Sequence, residues 1–211
     1  MVEKEKQTVS ETAPVPEGVG SFVLEVIKIF ALAAAIIIPI RVFLFQPFFV
    51  QGASMEPNFH GGEYLIINEI GYKTTKIGPK DNPFFVIAGK KPLRRGEAVV
   101  FRYPRNPKKY FIKRVIGLPG DRVVISDGTV RIYNSLYPEG KVIKEDYLAP
   151  GVKTAGELDE TVGKDEYFVM GDNRDFSSDS RVWGMVPREL IVGRVVLRAW
   201  PPSRAKIFKD E

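Results

Sequence analysis

Tyr110-Phe111-Ile112-Lys113-Arg114-Val115-Ile116 alternates with the two-residue period of a β-strand. Phe111, Lys113 and Val115 share one face; Tyr110, Ile112, Arg114 and Ile116 share the other. A lysine set between two apolar neighbours on its own face is held away from water. Burial disfavours the ammonium, lowers its pKa and prepares the amine to accept a proton. Working outward, short runs of the same texture occur at residues 63–68, 97–103, 122–125, 129–133, 166–170 and 190–199. Turn formers separate them: Arg95-Gly96, Leu118-Pro-Gly-Asp121, Asp127-Gly128 and Gly171-Asp-Asn173. No helical pattern alternates with these runs. The sequence therefore predicts an all-β, mostly antiparallel fold, with residues 71–95 and 134–165 as long connections.

Residues 1–21 are polar, carry Pro14, Pro16 and Gly18, and are expected to be disordered. Residues 22–45 form the one long apolar segment, 24 residues or about 36 Å as a helix, against a hydrocarbon core of about 30 Å. Its uncharged centre is residues 29–40. A span places Glu25 and Lys28 near one interface and lets Arg41 snorkel at the other. A buried soluble helix and a cleaved signal peptide are the other readings of this segment; an uncleaved anchor is the one expected. Lys and Arg counts hardly differ across it, so charge does not set its orientation.

Composition narrows the chemistry. The 211-residue chain has no cysteine, which excludes disulfides, thiolate metal sites and cysteine nucleophiles. Its single histidine, His60, lies in a Gly-rich turn with no orienting carboxylate suggested nearby, which disfavours a Ser-His-Asp triad and a multi-histidine metal site. The net charge of +5 is concentrated at Lys90-Lys91, Arg94-Arg95 and residues 102–109. That pattern reads as a solvated face or as contact with anionic lipid headgroups, and lacks the basic and aromatic interleaving of a nucleic-acid site.

Three segments carry candidate chemistry. Gly52-Ala53-Ser54-Met55-Glu56-Pro57 puts a hydroxyl in a tight turn, the second is the Lys113 strand, and the third, residues 171–181, is dense in Asx and Ser turn formers. Alone, Ser54 reads equally as a turn cap and Lys113 as a lysine on an edge strand. The third segment fits a hydrogen-bonded loop, and its spacing does not match a calcium loop.

In order and spacing these segments, with Arg95-Gly-Glu-Ala-Val-Val-Phe-Arg-Tyr-Pro104 between the first two, resemble the bacterial type I signal peptidases over nearly everything from Arg41 to Pro202. The resemblance implies a β-rich catalytic domain over residues 46–211, residues 134–165 being an insertion or second lobe, on a transmembrane anchor at 22–45. It implies that the domain lies outside the cytoplasmic membrane and residues 1–21 inside. Ser54 would be the nucleophile, Lys113 the general base, and Ser177 the hydroxyl that holds the lysine amine. Asp172, Asp179 and Arg181 would support the loop. Val50, Met55, Phe59, Leu65, Phe111 and Ile112 match or neighbour the shallow pockets for small substrate residues at −1 and −3. Some members carry serine where this chain has Gly52, so the oxyanion hole is expected to rest on backbone N–H groups. The implied partners are signal peptides of secretory preproteins and the lipid bilayer, with no cofactor, metal or nucleic acid. The 83–87 patch and Trp200 are candidates for a membrane-facing rim. Two other readings share the β texture: a self-cleaving repressor of the related serine–lysine class, and a non-catalytic β module tethered to the membrane.

Overall fold

The computed structural model describes residues 18–39, 45–77, 79, 81–87 and 89–208; the expected tail at 1–21 lies largely outside them. The chain divides into a unit ending at Ile40 and one beginning at Arg41.

The described part of the first unit is one helix, α1 (Val19–Pro39), opened by Ser21, whose hydroxyl donates to the Gly18 carbonyl at 2.7 Å. It is described as far as Pro39. Its window Gly20–Ile37 has a mean hydropathy of 2.1 and buries none of its length, making it the one helix among the described residues long and apolar enough to cross a membrane. Of the expected 22–45, the described helix covers 22–39, and residues 40–44 lie outside the described residues. Phe45 belongs to a strand.

The second unit is built on an antiparallel sheet whose main path runs β1 (Phe45–Phe49), β2 (Tyr64–Asn68), β13 (Ile191–Trp200), β5 (Ala98–Tyr103), β6 (Asn106–Gly117), β11 (Glu166–Met170) and β12 (Val186–Pro187). β14 (Lys206–Ile207) adds to β13. β1 carries Pro47, which has no N–H to give and so suits its place at the end of the path. A second, four-stranded sheet has the order β10 (Leu158–Thr161), β7 (Arg122–Ser126), β8 (Thr129–Asn134), β9 (Tyr137–Val142). Its alternate residues Val123, Ile125, Val130 and Ile132 are buried with Ile116, Phe168 and Met170 of the main sheet, so the two sheets share a core. A small hairpin pairs β3 (Thr75–Ile77) with β4 (Phe85–Ile87).

The all-β, mostly antiparallel expectation matches this architecture. The two long connections do not: 71–95 holds a hairpin, and 134–165 supplies both outer strands of the second sheet. These strands are polar or interrupted by proline and glycine, as in Tyr137-Pro-Glu-Gly140, and their pairing comes from the neighbouring strand rather than from an apolar face of their own.

Candidate active site

Ser54 follows Gly52, whose φ of +83° is open to glycine and strained for other residues. The turn is hydrogen-bonded by Glu56 N–H to the Ala53 carbonyl at 3.1 Å, and Phe59 N–H to the Met55 carbonyl at 2.9 Å. Met55 and Phe59, both about 1 % exposed, pack below it with Leu65, Ile67 and Val100. The turn is clamped from the other side by the 171–181 loop. Asn173 N–H donates to the Ser54 carbonyl at 3.1 Å, and Asn173 Nδ2 to the Ala53 carbonyl at 3.1 Å. Gly171 permits this approach: a Cβ there would collide with the Ser54 carbonyl oxygen and with Ser177 Oγ and Cβ.

Lys113 reaches the turn from β6. Its Nζ lies 2.6 Å from Ser54 Oγ, and the side chain is 4 % exposed. The Phe111 ring centroid is 5.5 Å from Nζ on the same face. Burial lowers the lysine pKa from 10.5 to about 8. Asp179 and Asp172 both pull its pKa upward, and Arg181 pushes it down. Burial prevails because each carboxylate is already engaged. Asp172 receives Arg114 Nε at 2.7 Å and Asn58 Nδ2 at 2.9 Å. Asp179 receives Arg181 Nε at 2.8 Å and the Gly171 N–H at 3.0 Å. Burial alone would push Asp179 up; the Arg181 and Gly171 hydrogen bonds outweigh it and hold the carboxyl below its usual value.

A groove of about 670 Å³ opens on the dyad, lined by Phe48, Val50, Gly52, Leu65, Val100, Tyr110, Phe111, Ile112 and both dyad residues among others. A hydroxyl at hydrogen-bond distance from a desolvated amine, in an apolar groove, can be deprotonated for attack on a bound carbonyl.

The family model described as "Signal peptidase, peptidase S26" matches residues 23–200. The probable signal peptidase I-2 of Synechocystis sp. is 36 % identical over 194 residues, 89 % of this chain and 78 % of that protein. Signal peptidase IB of Staphylococcus aureus (strain COL) is 31 % identical over 195 residues, 87 % of this chain and 93 % of that protein. The chain belongs to the signal peptidase family. Among solved structures, that of a signal peptidase I from Enterococcus faecalis V583 is 30 % identical, covering 49 % of this chain and 97 % of that one with a TM-score of 0.42.

Of the residues singled out in this signal peptidase from its sequence, Val50, Leu65, Phe111 and Ile112 line the groove, whereas Met55 and Phe59 lie in the core beneath the nucleophile turn. Gly52 sits at the groove wall, and the Ser54 N–H donates to no protein group among the described residues. Ser177 does not bond the lysine amine. Its Oγ is buried without a well-formed hydrogen bond, though near enough to Asp179 to favour the charged form of that carboxyl. Asp179 caps the short helix α2 (Ser180–Trp183), and Asp172 is more than a turn former: it anchors Arg114 through two oxygens. His60 contacts Arg204, with 3.1 Å from its Nδ1 to the guanidinium.

Sequence reasoning missed a second layer from residues 143–155. Arg174, fully buried, donates to the Gly171 carbonyl at 3.2 Å and pairs with Glu145 and Thr154. Tyr147 donates to Glu145 at 2.7 Å and stacks on Arg114 at 4.1 Å, while its carbonyl accepts from Asn58 Nδ2 at 2.5 Å. Its burial, reinforced by Glu145, pushes the phenol well above its usual pKa and keeps it a donor. The charge density of Asp-Asn-Arg-Asp was the available signal, but its partners are some 20 to 30 residues away in sequence.

Proposed function

We propose that Ser54 is the nucleophile and Lys113 the general base of a membrane-bound serine endopeptidase that removes signal peptides. The observation that carries the reading is the 2.6 Å approach of a desolvated amine to the Ser54 hydroxyl. Neutral Lys113 takes the hydroxyl proton as Oγ attacks the scissile carbonyl. The Ser54 N–H, with a backbone group freed by Gly52, receives the developing oxyanion. The ammonium then returns its proton to the leaving amine, leaving an acyl-enzyme. Lys113 next takes a proton from water, whose oxygen attacks the ester, and gives it back to Ser54 Oγ as the ester breaks.

The free Ser177 hydroxyl is proposed to orient the amine during these transfers. Val50, Leu65, Phe111 and Ile112 accept small residues at −1 and −3 of an extended peptide bound by strand addition. The signal peptidase activity belongs to residues 46–211, anchored by the apolar segment and facing the outer side of the cytoplasmic membrane. Phe84, Phe85 and Trp200, which are 75 %, 70 % and 54 % exposed, support a membrane-facing rim. A non-catalytic module has no use for a lysine stripped of water beside a hydroxyl.

Incubating the detergent-solubilised full chain with a secretory preprotein tests the proposal. Ser54→Ala and Lys113→Met should each abolish cleavage while circular dichroism stays unchanged. An active Lys113→Met protein would assign the base elsewhere.

A further inference from the structure

Of the three basic clusters, residues 102–109 hold the most cations, four against two in each of the others. Arg95 is paired with Asp121 at 2.8 Å, whereas Arg102, Arg105, Lys108 and Lys109 make no ion pair among the described residues. All four are exposed, and no acidic residue occurs between Glu97 and Asp121. They crowd the tip of the β5–β6 hairpin, where Tyr103 pairs with Asn106 and Arg102 with Tyr110. The tip is held stiffly: the Tyr103 ring stacks on Phe111 at 4.5 Å and meets Trp183 edge-on at 5.7 Å. Arg105 donates to the carbonyl of the exposed Val182 at 3.2 Å.

We propose that this hairpin tip docks on anionic lipid headgroups and thereby seats the mouth of the substrate groove at the bilayer surface. The inference rests on the proposed function for its direction. Residues −1 and −3 precede the cleaved bond, so the groove walls that receive them carry the upstream part of the peptide. From Lys113 those walls run along β6 through Ile112, Phe111 and Tyr110 to Lys109, which lines the groove and belongs to the tip. The chain upstream of those residues in a signal peptide is its apolar segment, which lies in the bilayer. The far end of the groove must therefore meet the membrane surface, and the hairpin presents cations there with the exposed rings of Phe49 and Tyr110 beside them. Aromatic rings and cations at one level suit a headgroup layer, and negative surface potential attracts such a cluster.

The test reconstitutes the full chain in phosphatidylcholine vesicles, pure or with about one lipid in three replaced by phosphatidylglycerol to mimic an anionic leaflet. The substrate is a preprotein embedded in the same vesicles. Wild-type protein should cut it about fivefold faster or more on the anionic vesicles, given the attraction expected for several cations. Combining Arg102→Gln, Arg105→Gln and Lys108→Gln, with Lys109 kept because it lines the groove, should erase that advantage. The same variant should cleave a soluble peptide in detergent at the wild-type rate. A retained advantage in the variant, or none in the wild type, overturns the proposal. An equal loss on the soluble peptide also overturns it, assigning the tip to substrate. Because the chain has no cysteine, N106C carries a single fluorophore that reads proximity to headgroups without requiring activity. Its emission should shift to the blue on anionic vesicles more than on neutral ones; no difference overturns the docking. Wild-type protein inert toward the soluble peptide would sink the proteolytic reading alone.

Discussion

Lys113 and Arg114 are neighbours on β6 and project to opposite faces, yet the two cations are treated in contrary ways. Arg114 is saturated: Asp172 accepts from two of its nitrogens, the Gly96 carbonyl accepts a third bond at 2.7 Å, and Tyr147 stacks on it. Lys113 is as deeply buried but, among the described residues, has only Ser54 Oγ within hydrogen-bond distance. One face compensates its charge and so keeps it. The other withholds compensation, so the proton becomes mobile near neutral pH. Strand alternation makes this separation possible within two residues, and the arginines on Asp172 and Asp179 keep those carboxylates from restoring the ammonium.

The contrast can be broken most severely by Lys113→Arg. A guanidinium stays protonated at any working pH, so cleavage should fall by about a thousandfold or more, the scale of losing a general base. Single-turnover assays on a preprotein would measure this, and substantial residual activity would mean that proton transfer does not run through residue 113.

Arg114→Met attacks the compensated side and leaves Asp172 buried without its guanidinium. Breaking such a pair should cost about 3–5 kcal/mol, which thermal unfolding would report as a melting temperature lower by about 10 °C for a domain of this size. Because Asp172 raises the Lys113 pKa, its unmasked charge should also move the midpoint of the rate profile upward. An unchanged melting temperature would show that the pair contributes nothing to stability.

The pH dependence of the wild type sharpens the comparison. With Lys113 near 8, cleavage limited by chemistry should climb about tenfold per unit below that value and level off above it. A flat profile between pH 6 and 8 would argue against a titrating lysine. The stability of the fold should move the same way. The folded pKa lies below the unfolded 10.5, so between about 8 and 10.5 the folded chain binds fewer protons and stability rises with pH. Below 8 the cost of holding the charged amine in the dry pocket, about 3 kcal/mol, stands in full.

The mildest change is Phe111→Ala, which admits water beside the amine. Hydration should return the lysine part of the way toward its ordinary value, moving the rate midpoint up by about half a unit to one unit. A midpoint that stays put would assign the desolvation to other walls of the groove.

The strands legible in the sequence were those with an apolar face. Residues 166–170 were read with the bounds that β11 has, and 122–125 and 129–133 came within one residue of β7 and β8. What escaped were β1, β9, β10, β12, β14 and the β3–β4 hairpin, whose residues lack alternation, carry proline or are too few to show a period, and which are strands because a neighbour offers them hydrogen bonds. Ser54 and Lys113 were legible through their motifs, and so was the apolar character of Phe111 beside the amine. The network of Glu145, Tyr147 and Arg174 was not, because a buried ion pair leaves no periodic trace and its members come from two loops far apart in sequence.

The sequence by itself determined the alternation that puts Lys113 and Arg114 on opposite faces, the apolar neighbours of the lysine, and the glycine that lets the Ser54 turn form. Those are local properties, set by side-chain period and backbone sterics. Only the tertiary structure decided that the amine reaches the hydroxyl and that the nearby carboxylates are occupied by other cations. It also decided that Met55 and Phe59 support the site from below instead of lining it. These outcomes depend on which distant segments share space, because desolvation and charge compensation are sums over everything packed around a group.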